Sequence, residues 1–289
     1  GIALLVFLLS EVLGSSLLIA VMRMFHIPIS INFLTYQMDG NQWAATGIRI
    51  LCLVLKYCLP TAILTRMCRL PQPVYMPASL GAIPEFIGSV GAGMIVAAVY
   101  CVAAIPTSVQ LSQRLFSYKE LPAIATYGVF DVLAVSVLAE LFFRGALLPL
   151  LRQFGDPFAV LVTALIGFLC PNALPERICE LLIGFAAGYL IIRSGSLLKC
   201  AMLRIVYSSL KYARLGLVYA SENIRLWQYA GILLGVGALL ILFFIHIRRT
   251  ALPLRNRRTF LPINQKLYYL TQSVPMLPWL AVSLLLLPL

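Results

Sequence analysis

The chain has 289 residues, 61% of them hydrophobic and 11% charged, with a mean hydropathy of +0.95. Soluble domains hold about 45–50% apolar residues and could not keep this much apolar surface from water. A soluble enzyme is therefore excluded, and the net charge of +12 does not indicate nucleic acid, because the basic residues stand at the ends of apolar runs where membrane topology puts them.

The expected class is an all-α polytopic bundle of about 8–9 transmembrane helices, with the bilayer and its anionic headgroups as the first partner. The chain opens in an apolar run that reaches about Met22 without a small-residue cleavage site. That run reads as a spanning helix over 2–22 rather than a signal peptide. Further apolar runs predict helices over about 47–66, 82–105, 122–150, 157–172, 178–193, 196–219, 226–247 and 274–289. Those over 157–172, 178–193 and 274–289 are short for a full crossing and suit tilted or partial spans. Two polar segments interrupt the series. One is 24–46; the other, 248–273, carries Arg248, Arg249, Arg255, Arg257, Arg258 and Lys266 and reads as a basic cytoplasmic linker. No repeat or soluble domain divides the chain, so 1–289 is expected to form one integral membrane domain, with 274–289 as an extra C-terminal helix.

Alternating sides from an inside N-terminus places Arg66, Arg69, Arg152, Arg193 and 248–266 on one face of the membrane. The opposite face receives 24–46, with Asp39 and no interior Lys or Arg, and the turn at Glu222. This bias points to an inside N-terminus; the expected location is a bacterial cytoplasmic membrane. Seven cysteines show neither metal spacing nor a paired framework. Cys52, Cys101, Cys170, Cys179 and Cys200 fall in or beside apolar runs, where a thiol acts as a small hydrophobe. The two histidines, His26 and His246, share no motif with a carboxylate, so neither a zinc site nor a histidine-activated thiol at Cys170 is expected. No cofactor is expected.

The most informative stretch is Ala139-Glu140-Leu141-Phe142-Phe143-Arg144-Gly145. Glu140 and Arg144, four residues apart, share a helix face and can pair. Unpaired, each would cost about 2.5–3.5 kcal/mol at the bilayer centre, so charges here are candidates for function. The alternative is an ion pair that only fixes helix packing. Glu11, Arg49, Lys56, Glu85, Asp131, Glu180, Arg204 and Lys211 also lie in or near apolar runs and can pair across helices. Arg204, Ser208 and Lys211 share one face and could neutralise Glu140 or Asp131. Gly184-x-x-x-Gly188 reads as a close helix contact.

Residues 139–145 resemble the first signature of the CAAX-protease and bacteriocin-processing (CPBP, or Abi) family of intramembrane endopeptidases, Glu-Glu-x-x-x-Arg. Glu140, Leu141, Phe143, Arg144 and Gly145 match, and Leu147-Leu148-Pro149-Leu150-Leu151 continues in the family's style. The second signature, Phe-x-x-x-His, falls on Phe168-Leu169-Cys170-Pro171-Asn172. Gly184 to Leu190 and Arg193-Ser194-Gly195-Ser196-Leu197 resemble the family's glycine helix and following turn. The third signature, His-x-x-x-Asn, then falls on Arg204 and Ser208. The resemblance covers about 122–210.

What the resemblance implies is a CPBP-like core whose expected Glu, His, His and Asn read Ala139, Asn172, Arg204 and Ser208. The family's chemistry needs a carboxylate to activate water and imidazoles and an amide to orient it or hold developing charge. Alanine takes no proton, and arginine is no base near neutral pH. One Glu-to-Ala change could be an engineered inactivation; the other three differences would remain. The expectation is a non-catalytic pseudoprotease that binds a membrane protein or peptide as a scaffold subunit. Two alternatives stay open. One is an active intramembrane endopeptidase that uses Glu140 on membrane-associated or prenylated peptides; the other is a small-solute transporter, for which no inverted repeat is visible.

Overall fold

The structure, a computed structural model, describes residues 1–24, 26, 29–32, 37–40, 42–75, 83–104, 121–170, 173–220, 223–248, 261–272 and 275–285. Its helices are α1 (Ile2–Val12), α2 (Gly14–Met24), α3 (Gln42–Met67), the single turn α4 (Gln72–Tyr75) and α5 (Ile83–Ala103). The long α6 runs over 121–151, followed by α7 (Asp156–Phe168), α8 (Leu174–Ser194), α9 (Leu197–Ala220), α10 (Asn223–Arg248), α11 (Ile263–Thr271) and α12 (Met276–Leu285).

This is a helical membrane bundle. Among the described residues four helices are long and apolar enough to cross a bilayer: Trp43–Met67, Ile83–Ala103, Ala125–Phe154 and Arg225–Ile247. The helices α8 and α9, of 21 and 24 residues, have the length but not the apolarity. They carry Glu176, Arg177, Glu180 and Arg193, and Lys199, Arg204, Lys211 and Arg214. Such helices persist in lipid by turning their charges inward, and Arg177, Lys199, Arg204 and Arg214 are all buried.

Three expectations need correction. The run 2–22 is two helices of 11 residues each. Leu13 is distorted to φ −102° and ψ −20°, at the edge of the helical region, where Gly14-Ser15-Ser16 lowers helix propensity. The segment 24–46 holds two short antiparallel strands, β1 (Ile29–Asn32) and β2 (Gln37–Gly40), with Ile29 opposite Gly40 and Asn32 opposite Gln37, a small exception to the all-α class. The linker 248–273 contains α11, which starts after Pro262 in extended geometry. Lys266 on α11 is buried, with Nζ 5.8 Å from the centre of the Phe158 ring. Residues 249–260 and 273 of that linker lie outside the described residues.

Close backbone approach fixes how the inner helices sit. A Cβ on Gly184 would stand 2.6 Å from Cα and Cβ of Ala164, and one on Gly188 3.0 Å from Val160, so the Gly184/Gly188 face of α8 is the seat for α7. On the other side α5 lies against α8, α9 and α10, and a Cβ on Gly93 would meet the Leu203 carbonyl at 2.7 Å. Between α8 and α9, Gly195 takes the left-handed conformation (φ 60°, ψ 27°) and returns its N–H to Ile191 O at 2.8 Å. A glycine at this position ends a helix without the Cβ penalty and reverses the chain, so that Glu180 and Arg204 come to face each other. The main core gathers side chains from Leu4 and Phe7 through Phe142 and Ile183 to Trp279.

Candidate functional site

The polar centre of the bundle is built on α6. This helix is α-helical over Leu121–Phe130, Ser136–Glu140 and Leu148–Leu151, and widens to π geometry over Asp131–Val135 and Leu141–Leu147. Each π stretch re-aims the side chains beyond it, and such stretches recur at functional sites. Here they bracket the turn carrying Ala139 and Glu140.

Glu140 is fully buried and stands between two guanidinium groups. Its Oε2 lies 3.2 Å from Arg144 Nε, a charge contact without hydrogen-bond alignment. Its Oε1 accepts a 2.8 Å hydrogen bond from Arg204 Nε on α9. Arg204 then extends its other two nitrogens to α8, donating to Glu180 Oε1 and Oε2 at 2.6 Å each. That planar fork matches the carboxylate in the geometry arginine suits best. Arg144 donates in addition to the Ile183 carbonyl at 3.1 Å. The result is a chain of alternating charge, Arg144–Glu140–Arg204–Glu180, that sums to zero. Breaking one member of such a buried chain strands another.

A second ion pair follows on the same two helices. Lys211 donates to Glu176 at 2.5 Å, so both pairs tie α9 to α8 with related spacings, Glu176/Glu180 against Lys211/Arg204. Further away, Lys199 and Glu85 form a buried ion pair between α9 and α5. A cavity of about 350 Å³ opens beside this network. Its walls are Lys56 from α3, Tyr127, Asp131 and Ser136 from α6, Glu176 and Glu180 from α8, and Arg204, Tyr207, Ser208, Lys211 and Tyr212 from α9.

The structure brings together Glu140, Arg144 and Arg204, and sets Ser208 on the cavity wall one turn from Arg204. Ala139 is next to Glu140 and wholly enclosed, with no exposed surface. Asn172 lies outside the described residues, as do the side chains of Glu11 and the turn at Glu222. Lys211 holds Glu176 rather than Asp131, whose carboxylate accepts instead from the Tyr212 hydroxyl at 2.9 Å. Arg49 is exposed. In the sequence Glu180 is one of several charges in or near apolar runs, and neither Glu176 nor Lys199 stands out among them. The i, i+4 acidic spacing Glu176/Glu180 set against basic Arg204/Lys211 was the available signal.

Residues 121–210 match the family model described as Type II CAAX prenyl endopeptidase Rce1-like. The matched stretch runs from the start of α6 into α9 and includes Glu140, Arg144, Glu180 and Arg204. No curated protein and no solved structure matches the chain.

Proposed function

We propose, on the premise that residues 121–210 are an Rce1-like segment of the CPBP type, that this integral membrane protein is a pseudoprotease. It keeps the helical chamber and uses it to bind a membrane protein or peptide partner, with no peptide-bond cleavage. The observation that carries this reading is the Arg204 guanidinium. It occupies the position that the resemblance assigns to a family histidine, and it binds Glu140 at 2.8 Å and Glu180 at 2.6 Å.

A hydrolytic centre needs a carboxylate with a lone pair open to water and a group able to donate or accept the proton that water loses. Glu140 faces a guanidinium at each oxygen and has no exposed surface. Glu180, which does reach the cavity, gives both oxygens to Arg204. Arginine keeps its proton near neutral pH, and Ala139 offers no second carboxylate. The charges are arranged to satisfy one another, which supports a structural and binding role for the chamber.

The test is cleavage of a panel of prenylated and leader-type peptides by the purified chain in detergent. The reading expects intact peptides after prolonged incubation, together with saturable binding of a partner segment. Cleavage that is abolished by Glu140→Gln would overturn it in favour of an active endopeptidase.

A further inference from the structure

The alternating chain from Arg144 to Glu180 accounts for one end of the cavity and leaves the Asp131 end unexplained. Asp131 sits on the cavity wall where α6 first widens to π geometry. Its carboxylate accepts the Tyr212 hydroxyl at 2.9 Å, and among the described residues it forms no ion pair. The cavity's cations face it from two other helices. On α9, Arg204 is held by Glu140 and Glu180, and Lys211 by Glu176. On α3, Lys56 lies over the rings of Phe7 and Tyr57, 5.1 and 5.4 Å from their centres.

A second observation comes from Ser136. It lines the same cavity, is 1% exposed, and its hydroxyl makes no hydrogen bond. Buried hydroxyls are nearly always partnered, so this unpartnered one on the cavity wall is open to a hydrogen bond from a ligand or a water in the cavity. Tyr127, Tyr207 and Tyr212 surround this end with phenol rings and hydroxyls.

These groups select a ligand chemistry. Asp131 feels the charge of Lys211 across the cavity, but Lys211 is paired with Glu176 and Asp131 keeps no ion-pair partner of its own among the described residues, so this end favours a cation over an anion. One carboxylate among hydroxyls is too few hard oxygen ligands for calcium or magnesium. A primary ammonium has three N–H donors, and the wall offers acceptors of three kinds: the Asp131 carboxylate, the Ser136 hydroxyl and the tyrosine oxygens, with ring faces to stabilise the charge. We propose that the Asp131 end of this cavity binds a primary ammonium group, carried by a small amine or by an amine-bearing lipid headgroup. The cavity, at about 350 Å³, is within the range of small-ligand sites. This inference does not depend on whether the chain cleaves peptides.

The experiment titrates the purified full chain in dodecyl maltoside at neutral pH with two probes, reading affinity by thermophoresis and thermal midpoint by intrinsic fluorescence. Ethanolamine hydrochloride is compared with ethylene glycol, its uncharged counterpart. Phosphatidylethanolamine in mixed micelles is compared with phosphatidylcholine, whose quaternary ammonium has no N–H for Ser136. At least one amine probe is expected to bind saturably and raise the midpoint, while its counterpart does not. Ethanolamine binding alone identifies a soluble amine, and lipid binding alone identifies a headgroup. Asp131→Asn should weaken binding by about tenfold to a hundredfold, the size of a lost charge-assisted hydrogen bond. Should that variant fail to fold, Ser136→Ala keeps the carboxylate and should weaken binding by about three- to tenfold. The proposal is overturned if neither amine binds better than its counterpart. It is equally overturned if a folded Asp131→Asn, or Ser136→Ala, binds as tightly as the unaltered chain.

Discussion

Replacing Arg204 by methionine tests whether the alternating charge chain organises the centre of the bundle. Methionine fills similar volume but removes three hydrogen bonds, of 2.8, 2.6 and 2.6 Å. The two carboxylates are affected unequally. Glu140 retains Arg144 at 3.2 Å, whereas Arg204 is the sole ion-pair partner of Glu180 among the described residues. A stranded carboxylate escapes by taking up a proton. With an ordinary glutamate titrating near about 4.3 and about 1.36 kcal/mol per unit, that costs about 3.7 kcal/mol at pH 7. The resulting loss of about 3–5 kcal/mol matches the range for breaking a buried ion pair. For a chain of this size it lowers the thermal midpoint by about 6–20 °C.

Glu180→Gln leaves Arg204 on Glu140 and should cost only about 1–2 kcal/mol. In the double variant Arg204→Met/Glu180→Gln no carboxylate is left without a cation, so its loss should fall well below the sum of the singles. The Arg204→Met loss should also shrink by about 1.4 kcal/mol for each pH unit between 7 and 5, because protonation of the stranded group becomes cheaper. Thermal unfolding of the four proteins in detergent at both pH values supplies the data. Strict additivity of the double variant, or an unmoved midpoint for Arg204→Met, refutes the reasoning.

Three further outcomes are expected. Arg144→Leu should cost about 1–3 kcal/mol, because the network is left one cation short and the Ile183 carbonyl loses its 3.1 Å donor, yet both Glu140 and Glu180 keep hydrogen bonds from Arg204; a midpoint drop larger than that of Arg204→Met would place the centre of the network on Arg144 instead. Ala139→Glu should give a destabilised protein without peptidase activity, since the site is fully enclosed and one regained member of a catalytic unit contributes little. Peptide cleavage by that single variant would show that Arg204 is compatible with the reaction. Gly184→Val should lower the midpoint by several degrees, because a Cβ there meets Ala164 at 2.6 Å and overpacking costs about 1–3 kcal/mol; an unchanged midpoint would mean that α7 and α8 separate freely.

Much of the fold was legible from local pattern. Long apolar runs must be helical in lipid because no other open backbone arrangement satisfies its own hydrogen bonds there. The helices at 42–67, 83–103, 121–151 and 223–248 follow from that rule. The Arg193-Ser194-Gly195 turn was legible for a similarly local reason, since glycine at a helix end marks a left-handed cap. The amphipathic α11 was hidden because the surrounding basic residues mask its short period, and the buried Lys266 on it meets Phe158, more than a hundred residues away in the chain. The break at Leu13 was hidden because hydropathy averages over it.

For the site, the sequence alone determined that Glu140, Arg144 and Arg204 must find partners, because charges in an apolar span are too costly to leave alone. It also determined the spacing that lets Glu140 and Arg144 meet on one helix. Only the tertiary structure decided that Arg204 clamps Glu140 and Glu180 together, that Lys211 takes Glu176, and that Asp131 faces the cavity with a tyrosine hydroxyl as its hydrogen-bond partner. Which carboxylate a cation reaches depends on interhelical register. That register is constrained by the Gly93–Leu203 approach of α5 to α9 and by the π stretches of α6, and these are properties of packed backbones rather than of residue spacing along the chain.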